Sequence, residues 1–287
     1  MTPAYDAPVR RRRLRSELRR VRKLAGFTQK EVAEAMEWSL SKLIRIESGS
    51  VGISTSDLKV LLQHYGVADP REVEQFLNLA RAGREQRGWW TEYRELISQQ
   101  YLTLLGYENS ASVIQTFQPL TIPGLLQDEE YARAVIRAVS GSATDKRVDE
   151  LVKLRMRRQE ELLERSDPPD MLFVLDEAAL HRWVGGRDVM RHQLHRLRDA
   201  ARENITIEVV PFTSGAHPGM QGPFVIFEFF DEHDEDVLFL ENSRGDLIVR
   251  DEQQEIEPYR LSFADLRELA RSTDSQAMID RVLNEMS

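Results

Sequence analysis

Cysteine is absent from the 287 residues, which removes disulfides and thiolate zinc sites and fits a reducing cytoplasm. No apolar run approaches the roughly 20 residues that span a bilayer, so no membrane segment is expected. The N-terminus, MTPAYDAPVRRRRLR, is basic with no apolar stretch behind it and does not read as a secretory signal. No established nucleophile motif or metal-ligand spacing stands out, and no metal or cofactor is expected. Hydrophobic residues make up 41% of the chain, enough for packed cores, and the length suits two domains.

What is present is an uneven distribution of charge. The net charge of −9 divides into +5 over residues 1–70 (13 Lys+Arg, 8 Asp+Glu) and −14 over the remainder (26 and 40). A basic head on an acidic body places any contact with nucleic acid in the head, because phosphates repel the rest.

The stretch from Thr28 to Gly49, TQKEVAEAMEWSLSKLIRIESG, organises the head. At helical period it gives two short helices around a tight turn, with Val32, Met36, Trp38, Leu43 and Ile46 facing one core and Ala33 at the crossing. Thr28 and Glu31 have capping-box spacing, and Phe27 and Val32 can form a hydrophobic staple. Ser39 can cap the second helix. This skeleton is that of a helix-turn-helix, whose second helix enters the DNA major groove. A basic helix is expected before it, from Val9 to Leu24, after a flexible arm over residues 1–8. Nine of residues 10–23 are Arg or Lys, against one acid, Glu17. This face is either simply solvated or a phosphate-contact surface that includes Arg11, Arg12 and Arg19. Helices opened by Ser54 and by Pro70 complete five, and Gly83 is the expected boundary, giving domains 9–83 and 84–287.

Residues 9–69 resemble the Xre/Cro/repressor type of helix-turn-helix domain: Gln29 opens the first motif helix, Ala33 fills the crossing, and Ile46-Glu47-Ser48-Gly49 closes the segment. At the start of the first motif helix the Gln29 amide and the backbone N–H groups can hold a phosphate, with Lys30 exposed beside it. Ser39, Leu40, Ser41, Lys42 and Arg45 point outward on the recognition helix, and the resemblance implies that Leu40, Ser41 and Arg45 approach base edges. Arg45 is the expected reader of guanine, and Leu40 can meet a thymine methyl. Lys42 can sit instead on the DNA backbone. Glu37 occupies the turn position where the family usually has glycine.

The body resembles the C-terminal part of bacterial regulators of the WhiJ type. The matching pieces are Gly88-Trp89-Trp90 with Tyr93, Pro123-Gly124-Leu125-Leu126-Gln127, Tyr131-Ala132, Arg155, Arg158 and Gln159. Further on come Leu175-Asp176-Glu177-Ala178-Ala179-Leu180, Gly185-Gly186, Pro211-Phe212, Gly215-Ala216-His217-Pro218-Gly219 and Gly222-Pro223-Phe224. The resemblance implies a transcriptional regulator, often paired with a small protein encoded nearby; it supplies no reaction and no ligand.

Patterning makes the body mixed. Strands are expected at Val113–Phe117, Met171–Leu175 and Asn204–Val210, then at Phe224–Phe230, Val237–Glu241 and Asp246–Arg250 as an antiparallel meander. Helices are expected near Asp128–Val139, Thr144–Arg165, from Asp176, over Arg187–Arg202, over Glu252–Arg271 and over Ser275–Glu285. The fold class is α+β, an all-α five-helix head followed by a mixed domain.

Three functions are weighed. The first is a cytoplasmic DNA-binding transcriptional regulator that reads double-stranded operator DNA as a homodimer, its body supplying dimer contacts and a sensing surface. The second is an antitoxin-like adaptor whose body grips a small protein partner. The third is a DNA-tethered enzyme using Asp176 and Glu177 with His217 and Glu241, although Asp176 can equally cap a helix and His217 stabilise a loop. No enzyme is expected. Trp89, Trp90 and Tyr93 either wall a ligand pocket or pack the junction of head and body. His192 and His195, three apart in arginine-rich surroundings, read as a solvated face rather than a zinc site. Gly185-Gly186 before a helix reads as a turn rather than an anion cradle.

Overall fold

Residues 7–49, 51–84, 88–231, 234–241, 247–250 and 252–286 are described by a computed structural model of the chain. They fall into two compact units, Met1–Thr91 and Glu92–Ser287. The expected arm lies outside the described residues as far as residue 6, and Ala7 and Pro8 already belong to the first helix.

Five helices form the first unit: α1 (Ala7–Leu24), α2 (Gln29–Ala35), α3 (Leu40–Glu47), α4 (Thr55–His64) and α5 (Pro70–Ala82). Local chemistry sets their ends. Thr28 accepts from the Glu31 N–H while the Glu31 side chain accepts from the Thr28 N–H, so the capping box is closed at both ends. Ser39 accepts from Lys42 N–H and Ser54 from Asp57 N–H. Helices α1, α2 and α4 share one mode of ending. After α2, the Trp38 N–H bonds to the Ala33 carbonyl and the Glu37 N–H to that of Glu34, and the same pair of bonds follows Arg22 and Leu62. This closure needs a left-handed residue. Gly26 and Gly66 provide it at φ +78°, whereas the motif turn uses Glu37 at φ +54°, where a side chain costs about 1 kcal/mol.

The core of this unit gathers Leu14, Leu18 and Val21 of α1, Val32 and Ala33 of α2, Leu43 and Ile46 of α3, Leu58, Leu61 and Leu62 of α4, and Phe76, Leu77 and Ala80 of α5, with Met36 and Trp38 packed against it. Val60 departs from the expected apolar side of α4. It is 54% exposed, because residues 58, 61 and 62 already fill the inward arc and position 60 falls about 200° from position 58.

The second unit is built on six strands, β1 (Val113–Gln118), β2 (Asp170–Asp176), β3 (Ile205–Val210), β4 (Phe224–Glu228), β5 (Val237–Glu241) and β6 (Leu247–Arg250). Their order is β3-β2-β1-β4-β5-β6. The pairs β1–β2 and β2–β3 are parallel, while β1–β4, β4–β5 and β5–β6 are antiparallel. The expected meander is therefore present; the first residue expected in its third strand, Asp246, lies outside the described residues, and Phe230 lies beyond β4 and is 87% exposed.

Parallel neighbours require crossover helices. Helices α7 (Glu129–Val139) and α8 (Asp145–Leu163) join β1 to β2, and α9 (Ala178–His181) and α10 (Arg187–Asp199) join β2 to β3. Helix α7 packs against both α8 and α10. On the other face of the sheet, Phe117, Val174, Val210, Phe224, Ile226 and Leu238 bury against Ile256, Phe263 and Leu266 of α11 (Gln253–Ala270). Helix α12 (Ser275–Glu285) closes the chain. The fold is α+β, with a helical head.

One helix has no counterpart in the sequence reading. Helix α6 (Gln99–Ser110), capped by Ser98, buries Leu104 through Asn109 without a break. A helix covered on several sides shows no 3.6-residue stripe. Gly106 in its interior weakens the signal further.

Candidate functional site

Helix α3 has a buried side and an open side. Leu43, Ile46 and Glu47 face inward. Ser39, Ser41 and Arg45 are exposed, and Leu40 and Ile44 are each 43% exposed. These outward positions follow one another at i, i+4 and i+5 from residue 40, which makes a single face of the helix. Arg45 has no ion pair or side-chain hydrogen bond among the described residues. Lys42 is turned aside: its Nζ lies 3.3 Å from Asp57 and 3.9 Å from the centre of the Trp38 ring. Ile44, which the sequence reading did not single out, completes the face. The signal was in the spacing, since 40, 41, 44 and 45 are the positions left when 43, 46 and 47 point inward.

The inward side is locked by charge. Arg22 donates from Nε and Nη2 to the two oxygens of Glu47 at 2.7 and 3.1 Å, and from Nη1 to the Phe27 carbonyl at 2.8 Å. Gln29 donates to Glu47 as well, at 2.8 Å. The Gln29 amide, expected on a phosphate, is thus bound to this carboxylate, with the residue half-buried at the start of α2. Lys30 is exposed, 4.0 Å from Glu34. Burial, reinforced by Glu47, raises the pKa of the nearby Tyr65 phenol.

The basic residues of α1 are not equivalent. Arg12 is 3% exposed, so a place on a phosphate-facing surface does not suit it. Arg22 belongs to the buried pair, and Arg20 bonds to Glu17 at 2.9 Å. Arg11 donates to the Ala7 carbonyl, and Arg15 to that of Ser48 at 3.1 Å. Arg19 is half-buried, and Arg20 and Lys23 are exposed.

In the second unit, the residues expected to carry chemistry gather at the carboxyl ends of β1, β2 and β3. His217 Nε2 lies 3.0 Å from Asp176 Oδ2, with the His217 side chain 6% exposed and its ring edge-on to Phe117. The other Asp176 oxygen accepts from the Ala178 N–H at 2.8 Å. Glu177 accepts from the Phe212 N–H at 2.7 Å, and its second oxygen lies 3.5 Å from His181, which stacks on Phe212. Asp176 ends β2 rather than opening a helix, and its carboxylate ties the return loop down. A cavity of about 310 Å³ lies between the start of β4, the end of β5 and the α11 residues Pro258, Tyr259 and Ser262. Glu241, exposed at the end of β5, lines it, and the surrounding protein raises the pKa of its carboxyl group by desolvation, against the opposing charge of Arg155.

The pieces Pro123–Gln127, Tyr131, Arg155, Arg158 and Gln159 converge on the loop after β1. Gln159 donates to the Gly124 and Gln127 carbonyls, Gln127 to that of Ile122, and Gln193 to that of Leu126; the Tyr131 hydroxyl accepts from the Ile122 N–H. Arg158 holds Glu108 through two bonds of 2.7 Å and donates to the Tyr101 hydroxyl at 3.0 Å. Burial pulls the Arg158 pKa down, but the Glu108 carboxylate and Tyr101 together more than offset it. Arg155 Nη1 donates to Gln127 at 2.6 Å, and burial pulls the pKa of its guanidinium down.

The remaining candidates lie elsewhere in the chain. Trp89 and Trp90 pack edge to face at 5.8 Å, with Trp90 buried against Gly88. Tyr93 lies under the Arg157 guanidinium. His192 and His195 are both exposed, and His192 sits 3.7 Å from Glu130. No group of three metal-ligating side chains occurs among the described residues. Gly185 is pressed against Val189 and Ala134, which makes the glycine pair a turn.

Comparison with protein families gives two matches. A helix-turn-helix domain model matches residues 13–76, and a model described as a domain of unknown function, DUF5753, matches residues 101–281. Neither curated proteins nor solved structures gave a match.

Proposed function

The chain belongs to the DUF5753 family and carries a helix-turn-helix head, and from that premise we propose that it is a sequence-specific DNA-binding transcriptional regulator. The observation that carries this reading is the outward face of α3. Ser39, Leu40, Ser41, Ile44 and Arg45 stand open on a helix whose underside is fixed by Leu43, Ile46 and the Arg22–Glu47 pair. A rigid helix with a short polar start, two apolar contacts and one open arginine is suited to base edges in the major groove. Its head is of the Xre type and its body of the WhiJ type in this reading.

A homodimer with recognition helices about 34 Å apart would read a two-fold operator, and the second unit would supply the dimer contact and a sensing surface. Binding, not catalysis, is its role. Asp176 and Glu177 each hold a backbone N–H, of Ala178 and Phe212, which supports positions that shape loops. The protein works in the cytoplasm on this reading.

Selection of duplexes from a random pool by the full chain tests the proposal. It should enrich one two-fold sequence, protected in footprinting at two half-sites, with sedimentation giving a dimer. A pool that enriches no sequence would overturn it.

A further inference from the structure

The strand order reverses beside β1. The chain steps from β1 to β2 to β3 on one side, then returns to place β4, β5 and β6 on the other. In open, mostly parallel sheets ligands bind outside the carboxyl ends of the strands where the order reverses; here β1 is the last strand of the parallel half, with the antiparallel β4 on its other side. Here the loop after β1, with Gly124 and Gln127, covers that position, and Arg155 lies beneath it.

The charge there is unbalanced. Arg158 is matched by Glu108, which is 2% exposed. Arg155 has only neutral partners at hydrogen-bond distance, Gln127 among them, and its Nε–H is buried with no acceptor. No carboxylate lies within ion-pair distance of Arg155 among the described residues. Glu241 acts on it only from farther away. Arg155 is half-buried, and a guanidinium withdrawn from water at its Nε with no countercharge is costly; proteins pair such groups. Gly124 packs directly over both arginines: a Cβ there would lie 3.4 Å from Arg158 Nη1 and 3.6 Å from Arg155 Nε.

We propose that Arg155, with Tyr101, Gln127 and the glycine face of the loop after β1, binds the carboxylate of a small molecule. One negative charge is the fitting complement, since two arginines stand against the single close carboxylate of Glu108. A planar carboxylate matches the guanidinium edge through two parallel N–H···O bonds. The inference gives chemical content to the sensing role of the second unit and rests on that reading. Its test involves no DNA, so its failure leaves the operator reading untouched.

Calorimetric melting of the full chain is measured in a carboxylate- and phosphate-free buffer, then with rising acetate, butyrate or benzoate at constant ionic strength, with inorganic phosphate as a separate arm. At least one carboxylate should raise Tm saturably, and Arg155→Met should abolish the rise while melting no lower than wild type without ligand. A rise that persists in Arg155→Met, or none with any carboxylate, overturns the proposal. A rise with phosphate alone overturns the carboxylate assignment. If Arg155→Met does not fold, Arg155→Lys carries the comparison. It keeps the charge but loses the fork, so the half-saturating concentration should rise at least tenfold; an unchanged value overturns the proposal.

Discussion

Arg22 and Glu47, twenty-five positions apart, form a two-pronged buried ion pair that joins the end of α1 to the end of α3. The recognition helix is therefore held by a charge contact as well as by its apolar underside. Gln29, drawn to the same carboxylate, ties the start of α2 into the same knot.

Removing one partner should be severe. Glu47→Ala leaves Arg22 without its countercharge, a change expected to cost about 3–5 kcal/mol. The paired replacement Arg22→Met with Glu47→Leu should cost far less. Denaturant unfolding followed by circular dichroism checks this, and equal losses for the two variants would show that charge is not what holds the pair.

The motif turn offers the opposite effect. Glu37 is the one non-glycine residue at positive φ among the described residues. Glu37→Gly should stabilise the head by about 1 kcal/mol, seen as a melting temperature a few degrees higher. An unchanged or lower value would mean that the left-handed turn carries no strain.

In the second unit, Gly219 lies flat on Phe117, and a Cβ there would come within 2.3 Å of the ring. Gly219→Ala must push the ring or the loop aside and should cost about 1–3 kcal/mol by overpacking. Phe117→Leu in the same background should recover part of that loss. A neutral Gly219→Ala would show that the loop is free to lift.

The capping box adds a pH-dependent contribution of known sign. The Thr28 backbone N–H, then its hydroxyl, hold the Glu31 carboxyl below its ordinary value of 4.5. A lowered folded pKa means the stabilisation is complete above the unfolded value and is lost as pH falls through the folded one. Glu31→Gln should flatten that part of the stability profile below about pH 4.5. The same slope in both proteins would place the titration elsewhere.

Much of the head was legible because its signals are local. Capping residues, the glycine stops and the inward spacing of Val32, Leu43 and Ile46 all act within a few residues, and each helix formed where those residues indicate. Side-chain destinations were less legible. The Gln29 amide turned toward Glu47, eighteen positions away, because a long side chain goes where a distant partner draws it, and no local pattern marks Arg12 as the one arginine of its run to be buried to 3%. In the body, branched and aromatic runs marked every strand, but the parallel pairing of the first three depends on crossovers that no local pattern encodes. The meeting of Asp176 with His217, forty-one positions apart, follows from the same topology. Helix α6 left no stripe because it is covered on several sides, and the charge imbalance at Arg155 emerges only when Glu108 is seen to serve Arg158.

The measurement that bears most directly on the outward face of α3 is the affinity of the full chain for its selected duplex across a salt series, for wild type and Arg45→Ala. Wild-type affinity should fall steeply and linearly on logarithmic axes. Arg45→Ala should lose about 1–3 kcal/mol on the selected site and relax preference at one base pair, with the salt slope unchanged. Equal affinity of the two proteins for the selected site, with preference intact at every base pair, would contradict the reading of α3 as the recognition helix.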